Sequence, residues 1–133
     1  MKVRWNRDSV RLRITPTEFT MITRGEEVSE ELCFPGGTVW RVVVCAGVQT
    51  ALASAESAAH IHLSADDQGR LAAPDAEGVY FQADGGLRYY IEKDFPCVHA
   101  RAAESLEPAT ETFVPPQGFE ERKLETETEI NGN

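Results

Sequence analysis

The feature that most constrains the fold is an internal repeat with an offset of 49 residues. Two Gly-Gly pairs, beginning at Gly36 and Gly85, lie one offset apart, and a strand, a short helix and two further strands are predicted around each pair over residues 9–45 and 58–94. One such unit cannot bury its sheet face alone, so we expect two pseudo-symmetric strand–helix–strand–strand units to form a small barrel or sandwich. The alternative is two unrelated hairpins that share common turn residues.

Helix signals recur at the same offset. Thr15 is placed to cap a helix, Pro16 suits its first position, and Glu18 completes a capping box. Gly25 ends this helix, and Ser64 is the corresponding cap in the second unit. Each unit is therefore predicted to carry one short helix.

Apolar periodicity supplies the strands and the core. Val10, Leu12 and Ile14 alternate with two arginines, which is typical of a half-buried strand with a basic outer face. Residues 2–5 alternate in the same way, so a hairpin opens the fold, and residues 38–46 are valine-rich on both faces, which favours a central strand. The predicted core comprises Ile22, Trp40, Val42, Val44, Leu63, Leu71, Phe81, Tyr89 and Ile91.

Charge divides the 133-residue chain into a body and a tail. The net charge is −9, and residues 103–133 carry eight glutamates against two basic residues, a net of −6. We therefore predict an α+β, mainly β, single domain over residues 1–102 and a flexible, largely disordered acidic tail over residues 103–133.

Composition also indicates the compartment. No stretch approaches the roughly 20 apolar residues of a membrane helix, and the N-terminus has no apolar segment of a signal peptide. Three cysteines, an odd number, favour free thiols in the cytoplasm. Cys97 is a candidate reactive thiol beside His99, and a structural cysteine is the alternative.

Candidate sites are few. The chain has no nucleophile elbow, phosphate-binding loop or dinucleotide fingerprint and no zinc-ligand spacing, so no catalytic, cofactor-binding or metal-binding residues are assigned and no cofactor is implied. Lys2, Arg4, Arg11 and Arg13 share the face of one hairpin and form a candidate phosphate-contacting patch. A solvated basic face that protects a sheet edge is the alternative.

The tail contains a candidate docking segment. Phe113, Val114 and Phe119 are apolar and lie among prolines and acids. Proline extends a chain and lowers the cost of ordering it, so this segment is expected to lie against the body or another protein. Nucleic acid is a disfavoured partner for so acidic a chain, and no membrane partner is expected.

Two resemblances add to this reading. Residues 10–14, residues 87–97 with the segment EKDFPC, and Thr112, Phe113 and Pro115 resemble a family of small uncharacterised bacterial proteins. This resemblance covers most of residues 1–116 and implies no activity and no catalytic residues. Residues 12–44, and more loosely 61–93, resemble the swapped-hairpin unit of AbrB/MazE-type transcription factors.

The swapped-hairpin resemblance implies DNA contacts through Arg4, Arg11 and Arg13, although this chain carries two units and a negative body. The leading hypothesis is a non-enzymatic cytoplasmic binding or protein-interaction module. The alternative is a swapped-hairpin-like DNA-binding regulator or antitoxin with an acidic partner-binding tail. An enzyme comes third.

Overall fold

The computed structural model describes residues 1–96, 111–119 and 122. These residues form a mainly β structure with two helices and two four-stranded sheets, and within them no sheet closes into a barrel, so the barrel alternative is wrong. In chain order the elements are β1 (Lys2–Trp5), β2 (Ser9–Ile14), α1 (Pro16–Thr23), β3 (Val28–Cys33), β4 (Val39–Ala46), β5 (Ala51–Ala55), β6 (Ala58–Leu63), α2 (Ala65–Ala72), β7 (Gly78–Gln82) and β8 (Arg88–Lys93).

Each sheet joins strands that are far apart in sequence. The first sheet has the order β1-β2-β8-β7, and the second sheet has the order β3-β4-β6-β5. At the centre of each sheet two strands run parallel, β2 beside β8 and β4 beside β6, while all the outer pairs are antiparallel hairpins. Every sheet therefore combines one hairpin from each half of the chain, with β1, β7, β3 and β5 at the edges.

Both helices begin at the predicted caps. Thr15 Oγ1 accepts a hydrogen bond from the Glu18 amide (3.2 Å), and Glu18 Oε1 accepts one from the Thr15 amide (3.0 Å). In the second half Ser64 Oγ accepts from the Asp67 amide at 3.2 Å. These bonds satisfy amides at the first turn that have no partner within the helix, which fixes where each helix starts.

The two Gly-Gly pairs form matching turns. Gly36 and Gly37 have φ angles of +95° and +91°, and Gly85 and Gly86 have φ angles of +86° and +94°. A residue with a Cβ atom strongly disfavours positive φ angles, so glycine is needed at all four positions. The turns direct β3 into β4 and β7 into β8 as tight hairpins.

A single core is shared by the two sheets and both helices. Of the nine core residues predicted from sequence, seven are buried, whereas Trp40 and Phe81 are only partly buried and pack at its margin. Val43 is 2% exposed although it points away from this core, as expected for the valine-rich central strand β4. The prediction did not include Leu12, Ile14, Val28, Ile61 and Val79, which complete the buried cluster.

No helix among the described residues is both long enough and apolar enough to cross a membrane.

Candidate functional site

The four predicted phosphate-contacting side chains lie together on the outer face of the first sheet. Lys2 is paired across the β1–β2 hairpin with Arg13, and Arg4 with Arg11. They point outward because the intervening residues of β2, such as Leu12, are fully buried. A depression of about 150 Å³ is lined by the four side chains together with Val3.

Glu92, in the neighbouring strand β8, faces two of these arginines. Its Oε1 is 3.2 Å from Arg11 Nε, and its Oε2 is 3.7 Å from Arg13 Nε. Gly78 lies opposite Glu92 in β7, where a Cβ atom would come within 2.9 Å of Glu92 Cγ. The glycine therefore leaves room for a carboxylate that partly neutralises the basic surface.

Lys93 and Asp94, the next two residues of the EKDFPC segment, connect β8 to neighbouring elements. Lys93 points inward, and its Nζ donates to the Ala73 carbonyl at the end of α2 (2.7 Å). Burial lowers the pKa of Lys93, and the negative charge of Asp75 partly opposes this shift. Asp94 is 3% exposed and forms an ion pair with Lys2 at 3.0 Å.

Phe95 contacts the phenylalanines of the described tail residues. Its ring centroid is 6.3 Å from that of Phe113 and 4.7 Å from that of Phe119, which is 6% exposed. The Phe113 amide also donates to the Asp94 carbonyl at 3.0 Å. Val114 differs from its neighbours because its side chain is 89% exposed. The two phenylalanines of the candidate docking segment thus lie on the chain's own body, and their docking to another protein stays a prediction.

A groove separates the edge strands β1 and β3. Trp5 in the first sheet and Trp40 in the second both line it, and their ring centroids are 5.1 Å apart with the ring planes inclined by 63°. Trp5 is 51% exposed and Leu32 is 44% exposed, so the lining is open to solvent. The groove has a volume of about 440 Å³ and is lined by Met1, Lys2, Val3, Trp5, Glu30, Glu31, Leu32, Trp40 and Val42.

The sequence prediction did not identify this groove. It treated Trp40 as an ordinary core residue and gave no role to Trp5. A usable signal was nevertheless present, because these are the chain's only two tryptophans and each precedes or follows an arginine on a predicted strand. Tryptophan is enriched where proteins bind one another, since it combines a large apolar ring with a polar N–H group.

The described thiols and histidines form no comparable site. Cys45 Sγ lies 3.4 Å from His62 Nδ1, and the pKa of the Cys45 thiol is raised by burial and by the charge of Glu27. In the described ranges no three potential ligands are close enough together to hold a metal ion. Cys97 and His99 lie outside the described residues, so the proposal of a reactive thiol at Cys97 stays a prediction.

Comparison with known proteins places the chain in a family. A family of unknown function, DUF7009, matches residues 1–114, and the chain belongs to it. This confirms the resemblance to a family without an established activity. No curated protein and no solved structure shows significant similarity to the chain.

Proposed function

We propose that this member of a family of unknown function is a non-enzymatic protein-binding module, and that the groove between β1 and β3 is its binding site. The observation that carries this proposal is that both tryptophans of the chain lie, partly exposed, in an apolar groove between two sheet edges.

The strand edges provide the main-chain contacts. Within the described residues β1 pairs only with β2, and β3 pairs only with β4. Each edge therefore presents backbone N–H and C=O groups to the groove side, and an extended segment can add to such an edge as another strand. Both edges contribute side chains to the groove lining. We favour β3 because it carries the carboxylate of Glu30, whereas the charged side chain of β1 in the groove, Lys2, is already paired with Asp94.

The side chains indicate the chemistry of the occupant. The lining is mainly apolar, and Glu30 enters it from the same face of β3 as the buried Val28. No ion pair is formed by Glu30 within the described residues. A carboxylate beside two tryptophan rings favours a lysine or arginine side chain, because a cation is attracted to both. We infer that the partner is an extended, apolar segment carrying a basic residue.

Intrinsic tryptophan fluorescence provides the test, since both emitting side chains lie in the groove. Decapeptides that alternate valine or leucine with lysine are titrated against the protein, with matched glutamate decapeptides as controls. We expect saturable changes in emission with the lysine series only, and roughly tenfold weaker binding by Glu30→Gln, equivalent to about 1.4 kcal/mol. Equal responses to both series, or unchanged binding by the variant, would contradict the proposal.

A competing role for Glu30 is protection of an edge strand from pairing with other copies of the chain. In that case Glu30→Gln would increase self-association without altering peptide binding. Sedimentation velocity on the same variant distinguishes the two roles.

We propose further that the two halves descend from a duplicated unit. The helices begin 49 residues apart, at Pro16 and Ala65, in support of this origin. The carboxylates in the first turns of the two helices, Glu18 and Asp67, accept hydrogen bonds from equivalent positions. Glu18 accepts from the amino group of Met1, and Asp67 accepts from the hydroxyl of Thr50, which lies 49 residues after Met1.

The register of the central parallel strand pairs differs between the two sheets, so the repeat is not exact. Leu12 lies beside Ile91 in the first sheet, whereas its counterpart Ile61 lies beside Val44. An exact repeat would place Ile61 beside Val42, so the register differs by two residues and still keeps the same faces inward. In an experimental structure, residues 9–45 should superpose on 58–94 with both helices and both Gly-Gly turns aligned. Helices on non-equivalent sides of the two hairpins would refute the duplication.

A further inference from the structure

The outer face of the first sheet extends the basic patch into a row of tyrosines. Arg11 is adjacent to Tyr90 across the parallel pair of β2 and β8, and Tyr90 is paired with Tyr80 in β7. Arg88, two residues before Tyr90, points to the same face and lies opposite Gln82. We call the face formed by Lys2, Arg4, Arg11, Arg13, Arg88, Tyr80, Tyr90, Gln82 and Glu92 the basic face.

The charge of the basic face opposes that of the whole protein. It carries five basic side chains against two carboxylates, Glu92 and the Asp94 that is paired with Lys2, a net of +3 in a chain whose net charge is −9. Arg4 and Arg88 are exposed, and within the described residues neither side chain forms an ion pair. These two guanidinium groups are therefore available to an anionic ligand.

The tyrosines give this charged face an aromatic platform. Tyr80 is 56% exposed, and its ring lies 5.3 Å from that of Tyr90 in an edge-to-face arrangement. The guanidinium carbon of Arg11 lies 5.5 Å from the centre of the Tyr90 ring. The Arg11 guanidinium and the two tyrosine rings thus stabilise one another's positions. The ring of Tyr80 stays largely exposed to solvent.

We propose that the basic face binds single-stranded nucleic acid. Arginines and lysines that neutralise phosphates, together with exposed aromatic rings on which bases stack, are the two elements of single-strand binding. A duplex is disfavoured because its bases are already stacked and the described part of the face projects no helix or ribbon that enters a groove. An acidic peptide would use the arginines but would gain nothing from Tyr80.

The test uses fluorescence anisotropy with a labelled oligothymidine of about ten nucleotides, since single-strand sites span roughly 4–16 nucleotides. Binding should weaken between about 50 and 200 mM salt with a logarithmic slope near −2, as expected for about three neutralised phosphates at roughly −0.7 each. Arg4→Ser should reduce the slope by about 0.7, whereas Arg24→Ser, an exposed arginine at the end of α1, should leave it unchanged.

Tyr80 separates base stacking from charge. Tyr80→Ala should weaken binding roughly tenfold, whereas Tyr80→Phe keeps the ring and should bind like the parent protein. Near-ultraviolet circular dichroism confirms that both variants are folded. The proposal is overturned if the oligonucleotide does not bind at low salt, if a duplex or polyglutamate binds equally tightly, or if Tyr80→Ala binds as tightly as Tyr80→Phe.

Discussion

Replacing Phe119 with alanine should lower the free energy of unfolding by about 3 kcal/mol, the lower end of the range for a buried phenylalanine. The ring is 6% exposed and packs against Phe95 with centroids 4.7 Å apart, so its removal leaves a cavity beside the end of β8. In a chain of 133 residues this corresponds to a fall in Tm of roughly 10 °C. Chemical denaturation and calorimetry both measure it.

Val114→Ala is the matched control on the same segment. Its side chain is 89% exposed, so the change in the free energy of unfolding should stay within about 0.5 kcal/mol. Equal stabilities of the two variants would show that residues 111–119 do not pack on the body in solution.

Asp67→Ala should cost about 2–3 kcal/mol of stability. Asp67 is 8% exposed, and its carboxylate accepts hydrogen bonds from the hydroxyls of Thr50 and Ser64 and from Arg70. Alanine leaves the partly buried hydroxyls of Thr50 and Ser64 without their acceptor and removes a negative charge from the first turn of α2, where the helix dipole favours it. Urea denaturation monitored by circular dichroism gives the value.

Asp66→Ala separates the two contributions. Asp66 is exposed, in the same helical turn, and makes no hydrogen bond within the described residues, so only the interaction with the dipole is lost. We expect a loss of about 0.3–1 kcal/mol. If the two substitutions were equally destabilising, the network around Asp67 would contribute nothing beyond charge at the helix start.

Local sequence signals predicted local structure well. Thr15 and Ser64 cap the helices, the Gly-Gly pairs adopt positive φ angles, and residues 2–5 and 9–14 pair as a hairpin. Each of these features depends on residues only a few positions apart. Their side-chain chemistry therefore specifies the backbone conformation without reference to the rest of the fold.

The strand β5 was not predicted. Its sequence, Ala-Leu-Ala-Ser-Ala, has no β-branched or aromatic residue and therefore no intrinsic strand preference. It forms because it pairs with β6, where Leu52 lies opposite the fully buried Ile61. Tertiary packing rather than local propensity places this strand.

The two candidate binding surfaces depend on contacts between distant residues. The basic face needs Arg11 beside Tyr90, 79 positions later in the chain, and the groove needs Trp5 beside Trp40. A single sequence shows which residues share a strand face but not which strands become neighbours. The patch on β1 and β2 was therefore visible, and its extension across β8 and β7 was not.

Hydrogen–deuterium exchange of the protein with and without a lysine-containing decapeptide tests the binding groove most directly. If the peptide adds to the sheet beside β3, amides of Val28–Cys33 on the free edge should exchange more slowly in the complex. Amides of β5, the opposite edge of the same sheet, should be unchanged. Protection of β5 equal to that of β3, or no protection of β3 at saturating peptide, would contradict the assignment of the groove as the protein-binding site.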